Sequence, residues 1–328
     1  MTGFTAAERA LILRASAVIA ADLEQVAAAK DHDHATGGDR PSALTGGDNA
    51  KLIGGDDSTM VGGAHVTMVG GGTSKLTGGD DATLAGGHHS RLIGGHRSTL
   101  TGGDGSTLAG GDGSRLYGGL YSQLTGGDDS TLTSSDHSRL IGGNNSQLTG
   151  DDNSTLVGGN FAKLAGGRGS TLVGGDHSTL VGGNFSTLTG GHFSMLTGGD
   201  NSTLTGGNGS TLTGGNGSTL TCGRCSKLTG GHGSKLTGGT ESTLTGTTWS
   251  TMAGGYYSNL TGGDYSTLTG DFGSMFVGGV GATFIVRECS MPNGYPTLVV
   301  GVIGAGGLLP RVPYRRVADR WVAQPATP

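Results

Sequence analysis

Large apolar residues recur along this chain at a spacing that is neither the two of a strand nor the 3.6 of a helix. From Leu44, Leu52, Met60, Met68 and Leu76 to Leu268, Phe276 and Phe284, one stands at every eighth position without a break. Of these 31 positions, 26 are Leu, 3 are Met and 2 are Phe. The residue two before each is Ser, except at Ala50, Val66, Ala82, Ala162 and Ala282. The unit is Gly-Gly-x-x-Ser-x-Leu-Thr, as in Gly206-Gly207-Asn208-Gly209-Ser210-Thr211-Leu212-Thr213. So regular a period identifies a stacked repeat architecture. In Ser-x-Leu-Thr the side chains alternate, placing Ser and Leu on one face and x and Thr on the other. Leu is the inward residue, which brings Ser into a narrow core and leaves x and Thr in solvent. Gly-Gly-x-x then turns the chain, and glycine is expected to supply any positive φ at the corner. One octad makes half a circuit, so the pattern predicts an all-β, two-sheeted β-solenoid with 16 residues per coil. Residues 46–285 hold fifteen such coils, or a rod of roughly 70 Å at the ordinary strand spacing. The inward Ser hydroxyls need partners, and a ladder of neighbouring Ser or backbone groups would supply them.

The ends depart from the period. Thr5-Ala6-Ala7-Glu8 is a capping-box pattern, and Leu11, Ile12, Ala15, Ile19, Leu23 and Val26 follow at helical spacing. These residues predict an amphipathic helix over 5–29, packed on the first coil or on a second subunit, and Asp31-His32-Asp33-His34 begins a polar linker. After Phe284 the octads stop and a small β-rich cap is expected. The organisation read from the sequence is therefore 1–37 helix and linker, 38–285 solenoid and 286–328 cap. Both ends of a solenoid expose strand edges that invite further pairing, which gives such covers a purpose.

Composition agrees with a thin core. Glycine supplies 71 of 328 residues and aromatics only 5%, too few large side chains for an ordinary two-domain enzyme. Proline numbers 7 and glycine lacks a three-residue period, which excludes collagen. A net charge of −5 and the absence of a basic face argue against nucleic acid. No apolar run approaches the ~20 residues of a membrane-spanning helix. Ala10–Ala21 is interrupted by Arg14 and makes a poor secretory signal.

The octad resembles that of the bacterial ice nucleation proteins, with Gly in place of that family's leading Ala. The end of the chain strengthens the resemblance. Ala282-Thr283-Phe284-Ile285-Val286-Arg287, Asn293-Gly294-Tyr295, Leu298-Val299-Val300, Gly304-Ala305-Gly306-Gly307 and Pro313-Tyr314 are similar in order and spacing to the family's C-terminal cap. Repeat and cap together cover roughly 280 residues. The resemblance implies a solenoid that orders water, with outward Thr-x-Thr motifs as an ice-like template, and self-assembly through coils near the cap. It points to the cell surface or outer membrane. The family's large N-terminal surface domain is absent from this sequence, which leaves a cytoplasmic location open.

Thr carries both a methyl and a hydroxyl on a branched, restricted side chain. Outward residues two apart along a strand lie roughly 6.6 Å apart, and stacked strands roughly 4.7 Å, distances of the order of ice repeats. Complete motifs pair Thr99 with Thr101, Thr131 with Thr133, Thr187 with Thr189 and Thr203 with Thr205. Four more pair Thr211 with Thr213, Thr219 with Thr221, Thr243 with Thr245 and Thr267 with Thr269. The motifs at Thr187, Thr203 and Thr219 are 16 apart and should stack, whereas Lys227 separates Thr211 from Thr243 on the opposite face. A template this short predicts weak ice activity from a monomer. Thr is also simply a good exposed strand residue, so the alternative is a structural or self-assembling solenoid, filament or spacer, without ice activity. Basic outward residues such as Lys51, Lys75, Arg91, Arg115, Arg139, Lys227 and Lys235 could meet corner Asp residues of another copy, which predicts a homo-oligomer.

Other constellations carry less. Gly-Gly-Asp runs such as Gly102-Gly103-Asp104 suggest a calcium-binding nonapeptide solenoid, but the period is eight and Ser occupies the position of the needed ligand. No metal or cofactor is expected. Cys222-Gly223-Arg224-Cys225 falls in a turn with Cys222 replacing a repeat glycine, which argues against redox or zinc chemistry; Cys289 is the only other cysteine. His88, His89 and His96 could meet on one corner edge, since His88 and His96 are eight residues apart, but scattered turn histidines are the expected reading. Asp271-Phe272-Gly273 falls in corner register, and no nucleophile–base pair rises above the repeat. An enzyme is not expected.

Overall fold

The computed structural model describes residues 34–37, 42–289, 296–317 and 319–325. The expected helix over 5–29 lies outside them. Among the described residues there is no helix, and the protein is an all-β, two-sheeted β-solenoid. It divides into two compact units, residues 1–178 and 179–328, so that the division falls within the repeat.

In each unit every octad contributes one short strand, and each strand pairs in parallel with the strand sixteen residues on, Leu against Leu. In the first unit Leu84 faces Leu100 and Leu108 faces Leu124; in the second Leu204 faces Leu220 and Leu212 faces Leu228. Consecutive octads therefore enter opposite sheets. The first unit holds nine coils and the second seven, one more than fifteen in total. The additional strand is His34–Thr36, which pairs with Lys51–Ile53 where the sequence pattern suggested linker.

The core is two columns of Leu back to back. Leu188, Leu204, Leu212 and Leu220 are all fully buried, as are Ser202, Ser210 and Ser218 beside them to within 1%. Most Ser hydroxyls are satisfied as the pattern anticipated, within the corners and between coils; among the described residues the buried hydroxyls of Ser42 and Ser90 have no partner. Ser194 Oγ donates to the Gly191 carbonyl at 2.6 Å, and Ser194 and Ser210 hydroxyls lie 3.3 Å apart one coil on. Ser210 Oγ in turn reaches the Gly191 carbonyl at 3.1 Å.

The corners correct one expectation. Positive φ falls not on the paired glycines but on the fourth corner residue, in all thirty corners from Asn49 to Gly281. Only eight of those residues are glycine; the others include Phe161, Phe193, Trp249 and Tyr257. Left-handed backbone is costly for bulky side chains and persists only where the surroundings over-determine it. Here the residue's own N–H bonds to the next coil, as Phe185 N donates to the Asp200 carbonyl at 2.9 Å and Asn201 N to that of Asn216 at 2.7 Å. The paired glycines serve close approach instead. A Cβ on Gly198 would come within 2.8 Å of Leu204 Cδ1 and Ser202 Cβ, and one on Gly239 within 2.9 Å of the Arg224 nitrogen in the preceding coil.

Beyond the octads, Thr283–Cys289 lengthens to seven residues and pairs antiparallel with Pro296–Val302. Pro313–Val317 adds antiparallel to Met275–Val277 and carries Arg320–Ala323 on its other edge. Trp321 packs edge-on against Phe276 at 5.8 Å, and Phe284 and Tyr314 are buried beside them. The switch from Leu to Phe in the last two core positions thus supplies an aromatic cluster where the coils stop.

Candidate functional site

The outward positions of each strand, x and Thr, form two parallel columns per sheet because pairing is in register. In the second unit the sheet that contains Thr187–Thr189 brings together Thr187, Thr203 and Thr219 in one column and Thr189, Thr205 and Thr221 in the other. Thr187, Thr189, Thr203, Thr205 and Thr221 are exposed and Thr219 is partly covered. Thr267 and Thr269 lie in the same two columns, with Lys235 and Thr251, and Thr237 and Ala253, between them and the first three strands. Thr283 ends the first column and Ile285 the second.

Counting complete motifs therefore understates this surface. Six of seven residues in the first column and five of seven in the second are Thr, because Thr237, Thr251 and Thr283 belong to it without belonging to a Thr-x-Thr pair. Their signal is in the sequence, but only when each outward position is followed separately at a stride of sixteen. The columns extend about 28 Å at the ordinary strand spacing. None of these Thr hydroxyls bonds to another protein group among the described residues, so each is free to bond water.

The opposite sheet of the second unit is less uniform. Thr197, Thr213, Thr229, Thr245 and Thr261 make one unbroken column, but its neighbour runs Thr179, Met195, Thr211, Lys227, Thr243, Asn259 and Met275. The motif of Thr211 and Thr213 is separated from that of Thr243 and Thr245 by the Lys227 strand, as their spacing implied.

In the first unit two motifs are interrupted along their columns. Thr99, Thr101, Thr131 and Thr133 share a sheet, yet Arg115 stands between Thr99 and Thr131, and Tyr117 between Thr101 and Thr133. On the far side Thr131 meets Gln147, while Thr133 meets Thr149, beyond which Ala165 follows. Thr133 is itself only half-exposed. It therefore belongs to a two-Thr fragment bounded by Tyr117 and Ala165, and neither Thr131 nor Thr133 joins a continuous Thr surface. The reason is that a column is set by neighbours sixteen residues away, and a complete motif within one strand does not fix them.

At the corners, the third residue of each octad has a role that composition alone did not reveal. Where it is Asp, Asn or His, its side chain in most corners accepts a hydrogen bond from the backbone N–H sixteen residues on. Asn208 Oδ1 accepts from Arg224 at 2.9 Å, Asp200 Oδ1 from Asn216 at 2.7 Å and His192 Nδ1 from Asn208 at 2.9 Å. The same ladder runs through the first unit, from Asp112 to Asp128 and from Asn144 to Asn160. The frequent corner Asp residues are thus acceptors for the next coil, and among the described residues no group of His, Cys, Asp and Glu forms a metal-ligand cluster. His88 and His96 do not share an edge. Each bonds to the residue sixteen on, Asp104 and Asp112, because eight residues carry the chain to the opposite corner.

The fourth corner residues lean onto their equivalents one coil on. Phe161 stacks on His177 at 4.9 Å, Trp249 on Tyr265 at 4.9 Å, and Tyr121 tilts against His137. Asp81 receives two bonds from Arg97, at 2.9 and 2.6 Å, and the guanidinium holds its carboxyl below the usual range. Cys222 is buried where the first corner glycine normally stands, and burial raises its thiol pKa. Cys225 is exposed, and its Sγ lies 3.4 Å from Glu241, which raises its thiol pKa as well. Both are free thiols.

Comparison with family models, curated proteins and solved structures finds no match for this chain. No described helix is long and apolar enough to cross a membrane.

Proposed function

We propose that the protein orders water into an ice-like layer on the paired Thr columns of the second unit, as an ice-nucleation-like or ice-binding solenoid. The observation that carries this reading is the in-register stack of Thr187, Thr203 and Thr219 beside Thr189, Thr205, Thr221 and Thr237. A fixed backbone grid holds methyls and free hydroxyls at repeating distances, so bound water is positioned without the entropy cost of ordering long side chains. The resemblance of octad and terminal segment to the bacterial ice nucleation proteins supports the same reading. Activity of a single molecule is weak because the surface is about 28 Å long, and association into a homo-oligomer enlarges it. The segment 5–29 acts as a helical cover, and the C-terminal hairpins act as a cap that ends the stack.

A droplet-freezing assay on the purified protein, with ice-crystal shaping followed in parallel, tests this. A raised freezing temperature or faceted crystals supports it; buffer-like freezing with unshaped crystals overturns it. The second reading, a structural or assembling solenoid, is favoured by the first unit. There Lys51, Lys75, Arg91, Arg115, Arg139 and Lys163 occupy outward positions and break the Thr columns.

A further inference from the structure

The second unit contains a cleft with a different chemistry from its Thr columns. It has a volume of about 800 Å³ and lies between a repeat corner and the C-terminal hairpin. Such a volume is within the usual range for small-molecule sites. One wall is aromatic. Tyr256, Tyr257 and Phe272 line it and remain roughly half exposed, with Tyr257 and Phe272 edge to face at 6.2 Å. Tyr257 is fixed from behind, since its ring lies over the Cα of Gly273, where a side chain would collide with it.

The other wall offers guanidinium donors. The Arg316 side chain is only 14% exposed and is held by Glu288 at 3.3 Å and Asp319 at 3.5 Å. Its Nε is buried without an aligned acceptor, despite the nearness of Glu288 Oε1. Arg315, next along the same strand, is exposed and has no ion pair or hydrogen bond among the described residues. Glu288 and Asp319 are both engaged with Arg316, which leaves the Arg315 fork as the open charge of the site. Planar forks of this kind favour carboxylates, and exposed aromatic faces favour a ring-shaped apolar surface.

We propose that this cleft binds an acidic sugar, a uronate residue of an acidic polysaccharide. Its ring lies on Tyr256, Tyr257 and Phe272, and its carboxylate meets the exposed Arg315 guanidinium. The site is independent of the freezing activity and stands or falls separately from it. Digalacturonic acid titrated into the full chain by calorimetry is expected to bind saturably. Cellobiose, which lacks the carboxylate, and acetate, which lacks the ring, should each bind at least tenfold more weakly. Arg315→Ala and Phe272→Ala are each expected to weaken digalacturonic acid at least tenfold with an unchanged melting temperature. Arg315→Lys keeps charge but not the fork, and should weaken it less. Absence of saturable binding overturns the proposal. So does cellobiose or acetate equal to digalacturonic acid, or full affinity in both Arg315 variants.

Discussion

A single corner glycine shows how tightly the octad is specified. A Cβ on Gly190 would lie 2.8 Å from Leu196 Cδ1 and Ser194 Cβ, inside the core. The molecule already contains two small replacements at this position, Ser134, whose hydroxyl bonds Gly119 and Ser138 at 2.8 Å, and Cys222. Size rather than backbone freedom therefore sets the limit. Gly190→Val is expected to lower stability by about 1–3 kcal/mol through overpacking. Gly233, at φ +65° with open space around it, is the opposite case. Asn occupies that corner position at Asn145, Asn153 and Asn201, so Gly233→Asn should change stability by no more than about 0.5 kcal/mol. Thermal melting of the two variants checks the contrast, which equal losses would refute. Asp81 gives the residue scale a pH dependence. Its hydrogen bonds from Arg97 depress its folded pKa, so the stabilisation is present above the unfolded Asp value of about 3.9 and lost as pH falls through the lower folded value. Asp81→Asn is expected to melt below the parent at pH 7, by a small margin because the pair is at the surface. The two should converge near pH 2. A gap that persists unchanged at pH 2 would show that the carboxylate charge is not the cause.

Strands and corners are legible in the sequence to different degrees. The inward Leu and Ser follow from alternation alone, because a period-two strand forces the choice once Leu is placed inside. The stride of sixteen follows from one octad per half circuit, and it predicts the Thr187, Thr203 and Thr219 stack. A search for complete motifs misses Thr237, Thr251 and Thr283 and does not show that Thr131 and Thr133 are interrupted, because a parallel sheet builds columns from single positions. The corner misleads for a physical reason. Glycine tolerates positive φ, but so does any residue whose N–H is pinned by the next coil, and the glycines are needed for contact distance instead. The acceptor role of Asn208 or Asp200 depends on a neighbour sixteen residues away, which local propensity does not encode. These columns give an element-scale prediction. Thr203→Lys with Thr205→Lys puts two long charged chains in the middle of the three stacked Thr-x-Thr motifs of the second unit. It should lower the freezing temperature of droplets towards that of buffer while leaving the β-sheet circular dichroism unchanged. The same pair of substitutions at Thr99 and Thr101, beside Arg115 and Tyr117, should leave freezing unaltered. Equal loss from both would mean that the second-unit columns have no special part.

Across the whole molecule, outward chemistry is unequally shared. The first unit carries Lys51, Lys75, Arg91, Arg115, Arg139 and Lys163 at outward strand positions, and the second carries only Lys227 and Lys235 on its repeat strands, with Thr elsewhere dominant. Corner Asp residues, for their part, use one oxygen on the next coil, as Asp112 does for Asp128, while the other oxygen of Asp112 lies 3.6 Å from His96 Nδ1. Outward bases on both sheets and corner carboxylates supply the opposite charges that the proposed contact between two copies would use, and such exposed pairing is screened by salt over a Debye length of roughly 10 Å at 0.1 M. On the proposed reading, a water-ordering surface gains from this only if association joins Thr columns, since a single patch is about 28 Å long. Freezing temperature should therefore rise with protein concentration at low salt. Added sodium chloride should remove the rise in step with a fall in mass by light scattering, after correction for the freezing-point depression of the salt itself. Freezing that stays constant while the mass falls would place the activity in the monomer, and a mass insensitive to salt would remove the charge-paired contact altogether.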